Sequence, residues 1–271
     1  MKITFIGGGN MASAMVGGLL KKGWKPGAIT VVEIAAPARA QLESRLKVKA
    51  VPAIDAAAVD AACIVLAVKP QQMRTVALEL APLLREQLVV TIAAGIRVAD
   101  LSRWLGGYSR IVRVMPNTPA LVLAGVSGLC AGPNVRAEDR RAAERILGAV
   151  GATVWVERED ELDAVTAVSG SGPAYVFYFI EALEQAALAL GLREDAARKL
   201  ALETFAGAVR LALEAGEPPA ELRARVTSKG GTTERALQAL DADGVKSVIA
   251  RAVRAAAERS RELGDELGKD R

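Results

Sequence analysis

Lys2-Ile3-Thr4-Phe5-Ile6-Gly7-Gly8-Gly9-Asn10-Met11-Ala12 is the stretch that decides how this chain is read. A short apolar strand runs directly into glycines, and the glycines open a helix. Gly7, Gly9 and Ala12 stand in the G-x-G-x-x-A spacing of a phosphate-binding turn. The first glycine permits the tight turn, and the second lets backbone approach a pyrophosphate. The small third residue lets helix and strand pack closely. Backbone N–H groups of Asn10 and Met11, at the positive end of the helix dipole, then face the phosphates. A strand before and a helix after give the glycines the context of a dinucleotide site.

Outward from this turn, strand and helix signals alternate. Residues 3–6, 29–33, 63–68, 88–92 and 111–114 read as strands, with helices over 11–22 and 38–46. Residues 126–130 and 153–156 read as further strands at the sheet's edge, with a helix between 137 and 150. The alternation predicts an α/β fold: a Rossmann-like, doubly wound parallel sheet. From Asp163 onward no strand signal remains. Residues 173–190, 194–215, 219–227, 232–240 and 245–267 all carry helical periodicity. The expected organisation is a dinucleotide-binding domain over 1–162 and an all-α oligomerisation domain over 163–271.

Composition narrows the chemistry. The chain has 271 residues, enough for two cores, and no histidine. That excludes a Ser-His-Asp triad, a histidine-bearing zinc site and imidazole acid–base work. Aromatics make up only 4%, too few for a stacking surface for single-stranded nucleic acid. The net charge of +4 is spread over helices where basic and acidic residues alternate, so no nucleic-acid partner is expected. No apolar run reaches the roughly 18 residues of a membrane span. Ala12-Ser13-Ala14 imitates a signal-cleavage site, but glycines break the apolar stretch before it. Cys63 and Cys130 sit in separate apolar runs and read as buried thiols of a cytoplasmic protein.

Candidate site residues follow from position. Glu33, ending the second strand, can accept from a ribose 2′-hydroxyl and would repel a 2′-phosphate. Its alternative is an exposed strand-end carboxylate. Arg39 is the nearest cation to answer such a phosphate. Ala67-Val68-Lys69-Pro70 ends another strand at the sheet's carboxyl edge. Val68 and Pro70 can support the nicotinamide ribose there, and Lys69, a candidate catalytic residue, can contact cofactor or a substrate carboxylate. Arg113-Val114-Met115-Pro116-Asn117-Thr118-Pro119 ends a further strand, and Asn117 offers hydrogen bonds to the cofactor. Ser169-Gly170-Ser171-Gly172-Pro173 precedes a helix, with small residues that let ring and substrate approach backbone. Ser228-Lys229-Gly230-Gly231-Thr232-Thr233 opens another helix and suits a small carboxylate. For both runs the plain alternative is helix capping, which needs one such residue rather than six.

Together these motifs resemble the pyrroline-5-carboxylate reductase family along almost the whole chain. FIGGGNMA, AVKP, RVMPNTP, AVSGSGPAYVF and VTSKGGTTERAL carry the resemblance, the last two most specifically. The family's better-known form of the final motif has Pro where this chain has Lys229. The resemblance implies reduction of 1-pyrroline-5-carboxylate to L-proline by hydride from NADP(H) or NAD(H), without a metal. It implies that Ser228, Gly231, Thr232 and Thr233 hold the substrate, with Thr233 on the ring nitrogen as a candidate proton relay. It also implies dimers through the helical domain that assemble further, up to a decamer. Two rivals stand beside it. A β-hydroxyacid dehydrogenase needs a lysine on the first long helix of the second domain, but no lysine occurs between Lys69 and Lys199. A non-catalytic cofactor sensor would keep the glycine turn without needing both Ser/Gly/Thr runs.

Overall fold

Runs of Val, Ile and Leu make the strands, as expected where both faces of a sheet are covered. The computed structural model describes residues 1–269. It divides into two units, Met1–Ser171 together with Ala256 onward, and Gly172–Ala255. The change of character in the sequence falls at Asp163, nine residues before the second unit begins.

In the first unit the strands are β1 (Ile3–Ile6), β2 (Ile29–Val32), β3 (Lys49–Val51), β4 (Cys63–Leu66), β5 (Leu88–Thr91), β6 (Ile111–Met115), β7 (Gly125–Ala131) and β8 (Gly151–Trp155). They form one sheet in the order β3-β2-β1-β4-β5-β6-β7-β8. Phe5 lies in register with Val31 on one side and Val65 on the other. The strand order reverses beside β1, which places the topological switch point between β1 and β4. Every pairing is parallel except β6 with β7. Residues 116–124 supply only a short 3-10 turn, less than the dozen or so residues a parallel return needs, so the chain reverses there.

Helices cover both faces of the sheet. Residues of α1 (Asn10–Lys21), α2 (Ala36–Leu46) and α5 (Ala137–Leu147) pack with Phe5, Val31, Val65 and Val90. Residues of α3 (Pro70–Leu80) and α4 (Val98–Trp104) pack with Ile6, Ile64, Leu66 and Val89 on the opposite face. Alternate side chains of each strand thus feed two cores, which is the period-2 rule of a strand. The sequence reading did not foresee β3, α3 or α4. β3 is three residues long and none of them is fully buried, too short a run to show an apolar alternation.

After α6 (Glu161–Val165) comes one π-helical turn, Thr166–Gly170, closed by Ser171 N–H donating to Thr166 O at 2.8 Å. The second unit contains α7 (Gly172–Ala189), α8 (Glu194–Ala215), α9 (Pro219–Arg225) and α10 (Thr232–Ala242). Helix α11 (Val245–Leu267) begins in this unit and ends in the first. Ser260 on that last stretch donates to Asp163 at 2.6 Å, and Asp265 pairs with Arg97 at 2.7 Å. Among its described residues the second unit buries only Ala197 and Ala201, while Leu190 and Leu213 are 85% and 79% exposed. No helix among the described residues is long and apolar enough to cross a membrane.

Candidate active site

Gly7 leaves β1 with φ of +101°, a conformation only glycine takes without strain. A Cβ there would lie 2.8 Å from Ala67 O, so the turn is seated directly on the end of β4. Gly9 differs. Its φ is ordinary, and a Cβ would meet no atom of the described residues within 4 Å. It faces open space at the head of α1, where no side chain caps the helix and the first turn holds no acid. Asn10 and Met11 start that turn, and Ala12 packs beneath it, fully buried. Free N–H groups, an uncompensated helix dipole and open space beside a glycine fit a pyrophosphate.

Glu33 continues β2 and turns its carboxylate onto the glycine loop. Oε2 accepts from Gly8 N–H at 3.0 Å, and Oε1 accepts from Ala35 N–H at 2.9 Å. Arg39 Nη1 donates to the carbonyls of Glu33 and Ile34, each at 2.8 Å. The acid therefore stands fixed against the glycine loop at the switch point, and the neighbouring cation is tied to backbone.

Ala67 N–H donates to Ile6 O at 2.8 Å, which holds the end of β4 beside the glycine turn. Val68 lies against Gly7, and Pro70 begins α3, with Lys69 exposed at the helix cap. The next strand contributes a loop that the sequence reading missed, Ile92-Ala93-Ala94-Gly95-Ile96, at the same carboxyl edge. Its signal was an Ala-Ala-Gly run after an apolar strand. Gly95 has φ of +74°, and Leu267 of α11 packs over it.

Asn117 is buried, and its amide is spoken for. Oδ1 accepts from Val126 N–H at 2.9 Å, while Nδ2 reaches Ser169 O and Oγ, both at 3.3 Å. Gly170 packs on Met115, where a Cβ would come within 2.6 Å of its methyl group. The structure thus joins the 113–119 and 169–171 motifs, which the sequence keeps about fifty residues apart. Ser169, Gly170 and Ser171 belong to the first unit, whereas Gly172 opens α7 in the second.

The remaining candidates lie within the second unit. Gly231 caps α10, and its N–H donates to Ser228 O at 3.0 Å. Gly230, at φ of +74°, donates to the Glu234 carboxylate at 2.7 Å. Ser228, Lys229 and Thr232 are exposed, and Thr233 is half-buried in the first turn of the helix.

Comparison with known proteins decides the assignment. A family model described as pyrroline-5-carboxylate reductase dimerisation matches residues 159–263. A model described as NADP oxidoreductase, coenzyme F420-dependent, matches residues 2–95. A pyrroline-5-carboxylate reductase of Pseudomonas aeruginosa is 45% identical over 269 residues, covering 99% of this chain and 98% of that protein. The chain belongs to the pyrroline-5-carboxylate reductase family. The pea reductase is 38% identical, covering 96% of this chain and 95% of its own. A solved reductase of Coxiella burnetii superposes with a TM-score of 0.92 at 42% identity, covering 97% and 98% of the two chains. The Plasmodium falciparum reductase, solved with NADP bound, gives 0.84 at 30% identity with the same coverage. Within the reductase frame, Gly7 to Ala12, Glu33 and the 67–70 run fall in the oxidoreductase match. The 169–172 and 228–233 runs fall in the dimerisation match, and Asn117 lies outside both.

Proposed function

We infer that this chain reduces 1-pyrroline-5-carboxylate to L-proline, with a nicotinamide dinucleotide held on the glycine loop. The observation that carries the reading is the open Gly9 beside the uncapped head of α1, at the switch point of a family reductase. When bound, the dihydronicotinamide supplies a hydride, and catalysis by the protein is chiefly positioning. Gly7, Gly9, Asn10, Met11 and Ala12 hold the pyrophosphate. Ala67, Val68 and Pro70 support the nicotinamide ribose, and exposed Lys69 adds a cation at that edge. Asn117 acts by fastening Ser169.

Ser228, Gly231, Thr232 and Thr233 hold the substrate, the helix head answering its carboxylate. Reduction of a neutral imine puts one hydride on carbon and one proton on nitrogen. The Thr233 hydroxyl hydrogen-bonds that nitrogen and can relay the proton. Ser169, Gly170, Ser171 and Gly172 present small side chains, so ring and backbone approach closely. The helical region from 163 onward closes its exposed apolar side chains, Leu190 and Leu213 among them, against a second copy. Such dimers assemble further, and the chain works in the cytoplasm, where its two buried cysteines stay reduced.

Glu33 sets the cofactor. Its fixed carboxylate suits a ribose hydroxyl and repels a 2′-phosphate, so NADH serves at least as well as NADPH. Initial rates with 1-pyrroline-5-carboxylate and each cofactor test this. Turnover with kcat/KM for NADH equal or higher is expected. A preference for NADPH of about a hundredfold would remove Glu33 from that role, and no turnover with either would end the reading.

A further inference from the structure

The chain has three tyrosines, and their hydroxyls meet three different fates. Tyr108 donates to the carbonyl of Gln87. Tyr178 is 70% exposed and faces solvent. The hydroxyl oxygen of Tyr175 is buried and has no hydrogen-bond partner among the described residues. A buried phenol nearly always finds one, because an orphaned hydroxyl forfeits its hydration for nothing. Tyr175 stands in the first turn of α7, two residues after the end of Ser169-Gly170-Ser171-Gly172-Pro173. The π-helical turn Thr166–Gly170 just before it is a distortion that recurs at functional sites. In a chain without histidine, hydroxyls such as this one join backbone N–H groups as hydrogen-bonding partners for a substrate.

We propose that Tyr175 is a substrate-binding residue whose hydroxyl hydrogen-bonds the bound cyclic imine acid. The proposal rests on the reductase reading above and adds a residue to it. The imine acid carries hydrogen-bonding groups at its carboxylate and at its ring nitrogen, and either one completes the orphaned hydroxyl. Without ligand the hydroxyl is a liability; with ligand it becomes a contact. That predicts opposite effects of one atom on stability and on activity.

Tyr175→Phe removes only the oxygen and keeps the ring that packs. The ligand-free variant should melt at the same temperature as wild type or higher. Its kcat/KM for 1-pyrroline-5-carboxylate should fall about tenfold or more, with NADH affinity unchanged by calorimetry. The rise in melting temperature caused by L-proline should shrink. A kcat/KM within twofold of wild type would overturn the proposal. So would a ligand-free variant that melts several degrees lower or dissociates at higher concentration, since the hydroxyl would then serve a buried water or a second copy. A wild-type enzyme that fails to reduce the imine at all would instead break the reductase reading, and this inference with it.

Discussion

Two loops open helices onto the proposed ligands, and they are built differently. The glycine loop before α1 is held by distant partners: Ala67 behind Gly7, Glu33 on Gly8, and Val32 O accepting from Gly7 N–H at 2.9 Å. The 228–231 loop before α10 is held by its own neighbours, Ser228 O and the Glu234 carboxylate. The first is braced by three strands of a finished core. The second is an exposed local turn in a unit that buries two alanines among its described residues. A dinucleotide meets a preformed cradle in the first, while the second needs more than its own unit to become rigid.

The comparison breaks most sharply at two glycines of one turn. Gly9→Asp should abolish NADH binding by calorimetry while leaving the melting temperature nearly unchanged, since the new Cβ has room. Gly7→Ala should do the reverse of sparing the fold, costing about 2–4 kcal/mol through strain at positive φ and the clash with Ala67 O. Equal loss of stability in both would contradict the account of Gly9 as open. In the second loop, Thr233→Ala should lower kcat/KM for the imine about 10–100-fold, the cost of leaving the ring nitrogen without its hydrogen-bond partner. NADH affinity should stay intact. Unchanged steady-state kinetics would remove Thr233 from the mechanism.

The smallest expected effect lies outside both loops and gauges the bracing of the sheet. Asp139 accepts from Arg110 at 2.6 and 2.9 Å and from Arg136 N–H at 2.9 Å at the start of α5. Burial alone would raise its carboxyl, but these bonds outweigh it and hold the group below its ordinary 3.8. A depressed folded value means stability present above that ordinary value and lost as pH falls through the folded one. Asp139→Asn should cost about 1 kcal/mol at neutral pH, the worth of the lost charge pair with Arg110, since an amide oxygen still accepts from Arg136 N–H. The gap to wild type should narrow as pH falls below 3.8 and close once the folded carboxyl is protonated, read by denaturant unfolding across pH. A gap independent of pH would show that the carboxylate charge contributes nothing.

Sequence carried the parallel core strands and the long helices well, because each has a clear apolar period. Helices α8 and α11 start and stop where polar breaks and glycines put them. The reading failed where structure depends on partners far along the chain. β3 exists because β2 offers an edge, and the antiparallel turn of β7 follows from a connection too short to cross over. The return of α11 to the first unit rests on Ser260 meeting Asp163 and Asp265 meeting Arg97, which no local pattern announces. At the site, the glycine spacing and the strand-end positions of Glu33 and Lys69 were legible. That Asn117 would spend its amide on Ser169 and Val126 was not, since the hydrogen bonds of a side chain are settled by the fold.

Direct passage of hydrogen from dinucleotide to imine carbon is what all of these placements serve. NADH with both hydrogens of its reactive ring carbon replaced by deuterium can be incubated with wild-type enzyme and 1-pyrroline-5-carboxylate, and the product weighed by mass spectrometry. L-Proline carrying one deuterium on the ring carbon of the former imine is the predicted result. Unlabelled proline, or tight cofactor binding with no proline formed, would contradict it.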